Sequence, residues 1–375
     1  DGAPDLYVVS GGNAFDDGHQ ALADHFYLND GRGNFIESTD ALPVPKTNKS
    51  AVAAADVDAD GDTDVFVGGL SNAAKYGYPQ DAYLLLNDGK GKFALAPENI
   101  INLKQLGIVT AAAFADVNGD GKPDLLTAGE WMPLIVFTNQ GGKFVRNDVP
   151  GSTGLWQSLL VTDFNSDGKP DVLAGNWGLN NKLVSRKNGP VKMYVKDFDK
   201  NGSTEQIVCY TIDGKEYTFL AKDELERPLP VLKKAYLTYS EVAGETVQFM
   251  FYDLFKDYYE AKAETLASAV FLNDGKGSYK SQPLPVALQL APLFAFAKTG
   301  KQVWAGGNFS GSVPYEGRYD GQVFTGFNSN FNITGSMPAI RGEWRDAKSI
   351  VINGKSHLLV ARNNLPLLVL KPAEE

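Results

Sequence analysis

A short acidic cluster recurs four times along this chain of 375 residues. It reads DVDADGDTD at residues 56–64, DVNGDGKPD at 116–124, DFNSDGKPD at 163–171 and DFDKNGSTE at 197–205. Carboxylates placed this close together repel one another unless a cation lies between them. The clusters therefore predict a chain built from similar units, each with a loop that binds a cation.

The sequence around each cluster repeats as well. A run of small residues precedes it, as in SAVAAADV (50–57), and an apolar run ending in glycine follows it, as in DVFVGG (64–69). A hairpin signal with an Asn-Asp-Gly turn comes next, as in LLNDGKGKF (85–93). We therefore predict four short strands in each unit. The acidic clusters begin 60, 47 and 34 residues apart, and self-similarity at such spacings is typical of a propeller or an array.

Two later units, at residues 293–308 and 347–364, keep the strand pattern and lose the acids, with Lys298 where the first Asp would be. The opening residues 1–5, DGAPD, match the last five positions of the motif, so the chain begins inside a motif and we expect a longer protein upstream. Counting this fragment gives seven units. They predict an all-β fold, a seven-bladed β-propeller forming a single domain over residues 1–375. Six or eight blades stay open, because the first unit lacks its first strand and the last has no clear fourth.

Residues 220–267 break the strand pattern. Leu, Tyr and Phe recur there at intervals of three and four residues among dispersed charges, which is helical periodicity, and Pro228 and Pro230 interrupt it near its start. We predict a helical insertion of two or three short helices at the edge of the propeller. It would serve as a structural brace or as a docking element for a partner.

Composition excludes several classes of function. The chain has 35 Lys+Arg against 45 Asp+Glu and no Lys/Arg-rich run, so we expect no nucleic-acid binding. The acidity is local, because the four clusters hold 14 of the acids and four divalent cations would bring the formal charge from −10 to −2. The single cysteine, Cys209, cannot form an internal disulfide. No apolar run approaches the roughly 20 residues of a transmembrane helix, so we expect no transmembrane segment in this chain.

The acidic motif supplies oxygen ligands in a fixed order. Side chains at positions 1, 3, 5 and 9 and a backbone carbonyl at position 7 face one centre, and the Gly at position 6 permits a sharp turn. Hard oxygen ligands in this number suit Ca²⁺ better than Mg²⁺. An EF-hand would need Glu at position 12, where this chain has Val67, Thr127, Ala174 and Val208. The sequence therefore predicts about four calcium loops of another type, with an Asx-turn network free of metal as the alternative.

The loops, the glycine-ended strands and the hairpins resemble the FG-GAP/VCBS repeats of integrin-α-like β-propellers. The segments KDELERPLPVLKKAYLTYSEVA, GGNFSGSVPYEGRYD (306–320) and LLVARNNLPLLVL (358–370) further resemble bacterial surface VCBS proteins often joined to an ASPIC/UnbV domain. This resemblance implies the following side-chain ligands: Asp56, Asp58, Asp60 and Asp64; Asp116, Asn118, Asp120 and Asp124; Asp163, Asn165, Asp167 and Asp171; and Asp197, Asp199, Asn201 and Glu205. The implied carbonyl ligands are those of Asp62, Lys122, Lys169 and Ser203. The last loop departs most from the pattern, and Asp1 with Asp5 forms half a site at most.

The resemblance also implies a ligand face. If the Ala-rich strand is innermost, as in the family, one face collects aromatic and planar polar side chains suited to sugar rings or peptides. The residues concerned are Trp131, Trp156, Trp177, Asn180, Asn308, Arg341, Trp344 and Arg362. The alternative is that the tryptophans pack between blades.

Catalysis has little support in the sequence. The three histidines lack zinc-ligand spacing, and neither a GxSxG elbow nor a phosphate-binding GxxxxGK occurs. We therefore expect a non-enzymatic, calcium-binding propeller that binds a glycan or a protein partner in an outer-membrane or extracellular assembly of a bacterium. A calcium-dependent polysaccharide lyase and a purely structural subunit are the alternatives. A lipid anchor in a missing upstream region would fit this location.

Overall fold

The computed structural model describes residues 2–39, 41–312, 317–337 and 340–371. The chain divides into two compact units. The first unit comprises residues 1–109 and 182–265, and the second comprises residues 110–181 and 266–375.

Short strands dominate both units. In chain order the first fourteen are β1 (Leu6–Val8), β2 (His25–Asn29), β3 (Phe35–Glu37), β4 (Lys49–Ala55), β5 (Asp64–Gly69), β6 (Tyr83–Asn87), β7 (Phe93–Leu95), β8 (Ile108–Ala115), β9 (Asp124–Met132), β10 (Ile135–Asn139), β11 (Phe144–Asp148), β12 (Gly154–Leu155), β13 (Ser158–Thr162) and β14 (Asp171–Gly175). The others are β15 (Val191–Lys196), β16 (Glu205–Ile212), β17 (Lys215–Thr218), β18 (Tyr259–Ala263), β19 (Ala269–Asn273), β20 (Tyr279–Pro283), β21 (Leu293–Thr299), β22 (Gln302–Gly307), β23 (Thr325–Phe327), β24 (Ile333–Ser336), β25 (Trp344–Ile352), β26 (Lys355–Arg362) and β27 (Leu365–Leu370). The α-helices are α1 (Lys222–Glu226), α2 (Pro230–Ala235) and α3 (Val247–Phe251), and single 3₁₀ turns lie at Gln20–Leu22, Tyr239–Glu241, Tyr252–Leu254 and Val286–Leu288.

The predicted four-strand repeat is present as antiparallel sheets. The order is β4-β5-β6-β7 in one sheet and β21-β22-β23-β24 in another, while β9 of a third sheet pairs with β8, β10 and β12. Two sheets have three strands among the described residues, β1-β2-β3 and β25-β26-β27. These small sheets confirm the all-β, propeller-type class. The number of blades stays a prediction.

The second strand is the most buried one in the sheets β4-β5-β6-β7 and β13-β14-β19-β20. Every residue of β5 and of β14 is buried, which explains why both read as continuous apolar runs rather than as alternating patterns. The glycines that end β5 allow close packing, because a Cβ on Gly69 would lie 2.2 Å from the carbonyl oxygen of Asp81. The glycine endings therefore follow from backbone approach at the end of the strand.

One sheet interrupts another along the chain. The third acidic loop lies in the sheet β13-β14-β19-β20, whose last two strands come after residue 268. A separate sheet of order β17-β16-β15-β18, which carries the fourth acidic loop, is inserted between β14 and β19. If the repeats followed one another strictly along the chain, the hairpin at 271–279 would belong to the sheet that carries the fourth loop. The hairpin pairs with β14 because apolar residues match there, with Val172 opposite Phe271.

The helical segment packs on the inserted sheet. Its helices lie between Lys222 and Leu254, and the end of the range predicted as helical, residues 220–267, forms β18 instead. In β18, Ala261 and Ala263 are buried while their neighbours are exposed, an alternation typical of a strand, and β18 pairs with β15. Leu225, Leu232, Val247 and Phe251 share a core cluster with Tyr194 of the sheet, so the helices brace it. Among the described residues, no helix is long and apolar enough to cross a membrane.

The loop at residues 71–81 holds the inserted sheet within the first unit. Thr204 donates its hydroxyl hydrogen bond to the carbonyl of Ala74 at 3.1 Å, and the ring of Tyr78 lies 5.3 Å from that of Tyr259. Gly77 has φ +104° and lies against the sheet, since a Cβ there would be 2.6 Å from Cγ2 of Val195 and 2.7 Å from Cε of Met193. The loop therefore requires glycine both for its backbone and for its packing.

We expect the substitution Gly77→Ala to lower the free energy of unfolding by about 1–3 kcal/mol more than Gly18→Ala does, because only the first adds a clash. Gly18 is the matched control, since its φ is +90° and nothing lies within 4 Å of its added Cβ. Chemical denaturation of both variants measures the difference. Equal losses would show that the loop does not pack on the sheet as described.

Candidate metal site

Each acidic loop joins two neighbouring antiparallel strands. The loops connect β4 to β5, β8 to β9, β13 to β14 and β15 to β16. In three of these loops the two strands pair so that the residue just before the acidic motif lies opposite the ninth residue of the motif, as Ala55 lies opposite Asp64. The four loops therefore occupy equivalent places in their sheets.

The acid at position 9 anchors each loop. Asp64 is fully buried, and its carboxylate accepts hydrogen bonds from the backbone N–H of Val57 at 3.0 Å and of Asn87 at 2.9 Å. Asp124 and Asp171 are equally buried and accept the equivalent pair of bonds, while Glu205 accepts the N–H of its position-2 residue. Burial raises the pKa of all four carboxyl groups above their usual range, and nearby acids in the loop add to the shift. A positive charge close by would offset this cost of burial.

The backbone of the loops is the same in all four. The position-6 glycine has φ between +83° and +97°, and its N–H donates to the position-1 carboxylate, as Gly61 does to Asp56 at 3.1 Å. Position 4 is also left-handed, even where it is not glycine, with φ +64° at Ala59 and +63° at Lys200. A left-handed Ala or Lys is strained, so the surrounding bonds of the loop impose this conformation.

In two loops the carboxylates converge. One oxygen from each of Asp56, Asp58 and Asp64 lies within 4.8 Å of the others, and the same holds for Asp197, Asp199 and Glu205. Oδ1 of Asp56 is buried and has no hydrogen-bond partner. Burial, followed by the charge of Asp60, raises the pKa of Asp58. An unpartnered buried oxygen among converging acids fits a bound cation and is costly without one.

The other two loops use an amide at position 3. Oδ1 of Asn118 accepts the N–H of Asp120 at 2.9 Å, and Oδ1 of Asn165 accepts that of Asp167 at 2.9 Å. Lys122 Nζ lies 3.6 Å from Oδ2 of Asp120. These loops hold three acids each, as the fourth loop does, against five in the first, and they share the left-handed φ at positions 4 and 6 with the first and fourth loops.

A set of asparagines, which the sequence pattern places in turns, completes the loops. Asn87, Asn139 and Asn273 end the third strand of their sheets, and each bonds through its backbone N–H to a position-9 carboxylate. The side chain of each also donates to the carbonyl at position 8, as Asn273 does to Pro170 at 3.1 Å. The recurrence of asparagine in the turn motif is the only sign of this role in the sequence. It does not reveal the contact with the position-9 carboxylate, because that carboxylate lies on another strand.

The N-terminal fragment repeats this anchoring. The N–H of Asn29 donates to Oδ1 of Asp5 at 2.9 Å, and the side chain of Asn29 donates to the carbonyl of Pro4 at 2.9 Å. Asp5 therefore has the role of a position-9 acid. Asp1, the other residue of the predicted half site, lies outside the described residues.

A lysine stands where the first acid would be in the repeat at residues 293–308, which lacks the acidic cluster. Nζ of Lys298 donates to Oγ1 of Thr162 at 2.9 Å and to the carbonyl oxygen of Asp163 at 2.5 Å. The ammonium group therefore stabilises the start of the third acidic loop from the neighbouring sheet.

The prediction that Trp156 and Trp344 belong to a ligand face is wrong. Trp156 and Trp344 are fully buried. Trp156 Nε1 donates to the carbonyl of Ser152 at 2.7 Å, and the ring of Trp344 stacks on Phe324 at 4.4 Å. Both rings belong to the hydrophobic cores of the second unit and are inaccessible to a ligand. The alternative, that tryptophans pack between sheets, holds for this pair.

The remaining residues of the predicted face have mixed roles. Asn308 is buried and its amide donates to the carbonyls of Gln322 and Gly342, a structural role. Arg362 donates to the carbonyl of Arg341. The residues that keep some exposure are Trp131, Trp177, Asn180, Arg341 and Arg362. The ring of Trp177 packs edge-on against Phe309 and Tyr319, at 5.5 and 5.3 Å.

The repeated sheets and their acidic loops define a repeat protein of the β-propeller class. A family model described as FG-GAP-like repeat matches residues 1–67, 73–127 and 116–174. Three FG-GAP-like repeats therefore lie within residues 1–174 of this chain. The further resemblance to proteins joined to an ASPIC/UnbV domain stays a prediction.

Other comparisons add little. No curated protein matches the chain. Among solved structures, the chain is similar to one titled "Crystal structure of BBS1N in complex with ARL6DN, soaked with lead", at 9% identity and a TM-score of 0.34, over 86% of this chain and 77% of that one. A likeness at this level supports no conclusion about function.

We expect Asn273→Ala to lower the free energy of unfolding by about 2–4 kcal/mol, because it leaves buried partners of its side chain unpaired. The amide donates to the carbonyls of Val117 and Pro170, and Oδ1 accepts the N–H of Gly275. Asn87→Ala is the matched control, since Asn87 has the same place in its sheet with more exposure, and we expect a loss of about 1 kcal/mol. Denaturant titration compares the two, and a larger loss for Asn87→Ala would contradict the anchoring role.

Proposed function

We propose that this protein is a non-enzymatic, calcium-binding propeller of a bacterial cell surface, where it binds a glycan or a protein partner. Each of the four acidic loops binds one Ca²⁺ through side chains at positions 1, 3, 5 and 9 and the carbonyl at position 7. The ion has a structural role, because it holds the turn between the first two strands of a sheet.

The unpartnered buried Oδ1 of Asp56 is the observation that carries this proposal. A buried acceptor without a donor is uncommon in folded proteins, and Asp58 and Asp64 direct further negative charge to the same place. A divalent cation satisfies all three groups at once. Carboxylate, amide and carbonyl oxygens form the hard donor set that Ca²⁺ prefers, and the flexible number of ligands suits Ca²⁺ more than Mg²⁺.

The surface role rests on the type of repeat and on the exposed residues. FG-GAP-like repeats over residues 1–174 support a propeller that works as a binding scaffold. Trp131 and Trp177 are half-buried, and Asn180 and Arg341 are exposed, so part of each aromatic and planar polar group is accessible to a partner. We place the protein on the outer membrane or outside the cell, where free Ca²⁺ is abundant enough for loops of modest affinity.

Calcium should bind with a stoichiometry of about four per chain, measured by elemental analysis after gel filtration. EDTA should lower the melting temperature, because each site filled at 100 times its Kd adds about 2.7 kcal/mol to the stability of the folded state. Asp56→Asn should reduce the stoichiometry by about one, since it removes a charged ligand. The control is Asp62→Asn, which removes the same charge from the same loop and keeps the carbonyl ligand.

The proposal fails if the purified protein takes up no Ca²⁺ and melts at the same temperature in EDTA. Equal losses of Ca²⁺ in Asp56→Asn and Asp62→Asn would point to general electrostatic attraction rather than to a defined site.

The double substitution Trp131→Ala with Trp177→Ala should weaken retention on a glycan array, or on a surface-protein pull-down, while near-ultraviolet circular dichroism stays that of a folded protein. Unchanged retention would remove these residues from the binding surface. An unsaturated product absorbing in the ultraviolet would favour a lyase instead, and a fixed neighbour without glycan binding would favour a structural subunit.

A further inference from the structure

An open pocket of about 590 Å³ lies in the second unit, away from the predicted ligand face. The hairpin of β10 and β11 forms one wall, and residues Gly277–Tyr279 of the next sheet contribute to another. Its volume is within the range of small-molecule sites, about 300–1,000 Å³. A pocket of about 160 Å³ in the first unit, beside Glu98 and Lys104, falls below that range.

The lining combines an apolar wall with short polar groups. Val136, Val149 and the ring of Tyr279 supply the apolar part, and Tyr279 packs on the core cluster that contains Trp156. Thr138 and Asn147 supply a hydroxyl and an amide, and the amide of Asn147 donates to Oγ1 of Thr138 at 3.3 Å. An aromatic wall beside adjacent hydroxyl and amide groups suits the apolar and hydroxylated sides of a sugar ring.

The charges of the pocket cancel. Arg146 forms a two-bond ion pair with Asp148, with Nε 2.7 Å from Oδ1 and Nη2 3.1 Å from Oδ2. Because the guanidinium group is already neutralised, the pocket offers no free cation for a phosphate or a carboxylate. Asp148 is likewise paired and gives no net attraction for an amine. A neutral polar ligand fits this balance better than an ion does.

We propose that this pocket binds a neutral saccharide unit. The ring would lie against Tyr279, and its hydroxyls would bond with Thr138 and Asn147, which share one face of the hairpin. This site goes beyond the proposed function, because the calcium role does not require it and none of these residues belongs to the predicted ligand face. Asn118 also lines the pocket, but it belongs to an acidic loop and is left out of the test.

The test uses the full chain in Ca²⁺-containing buffer, with saturation-transfer difference NMR and calorimetry. The probes are the methyl glycosides of glucose, galactose, mannose and xylose, then cellobiose and maltose, with glucuronic acid as the charged comparison. We expect at least one neutral probe to bind, with a millimolar Kd. Asn147→Ala and Thr138→Val should each weaken that binding about threefold to tenfold. Lys143→Ala, an exposed residue of the same hairpin outside the pocket lining, should not.

Two further variants separate this proposal from the others. The Asp56→Asn variant should still bind the saccharide in this pocket, whether or not it loses Ca²⁺, because Asp56 lies in the first unit. The double variant Trp131→Ala with Trp177→Ala should also bind it, because neither tryptophan lines the pocket. Binding of none of the neutral probes overturns the proposal. Binding that survives both Asn147→Ala and Thr138→Val also overturns it, as does tighter binding of glucuronic acid than of every neutral probe.

Discussion

A buried carboxylate at the ninth position of each acidic loop organises the structure around it. In Asp64, Asp124 and Asp171, one oxygen accepts a backbone bond from the start of the loop and the other accepts one from the end of the third strand. A single side chain therefore ties three segments of a sheet together. Because the group is buried, the fold must supply hydrogen-bond donors to it, and in the first and fourth loops further acids converge on the same place.

The same constraint connects the acidic loops to the hairpin asparagines. Each asparagine donates its backbone N–H to the buried acid and its side-chain amide to the neighbouring carbonyl. Asp5 and Asn29 repeat this pair at the start of the chain, and Lys298 supports a neighbouring loop where its own repeat lacks the acid. The repeats therefore share a hydrogen-bond scheme as well as a strand pattern.

The burial of the tryptophans could not be predicted from their positions in the sequence. Their positions near the ends of strands suggested a shared surface, yet Trp156 and Trp344 fill the cores of the second unit, while Trp177 packs edge-on against Phe309 and Tyr319. A tryptophan between two strands has the same local sequence whether it faces solvent or a neighbouring sheet. The pocket beside β11 had no sequence signal either, because its walls come from segments about 130 residues apart.

The strand repeats, the sharp turns at glycine and the clustering of acids follow from the amino-acid order alone, because periodicity, left-handed backbone and charge spacing are local properties. The sequence predicted the oxygen-rich loops residue by residue, and the convergence of Asp56, Asp58 and Asp64 agrees with that order. Which strands share a sheet depends on long-range packing, since the pairing of β14 with β19 crosses an inserted sheet. The same packing makes β18 a strand and selects which aromatic rings are buried. Those outcomes depend on contacts between distant segments, where the gain from burying apolar surface against a particular neighbour outweighs the local preference of the chain.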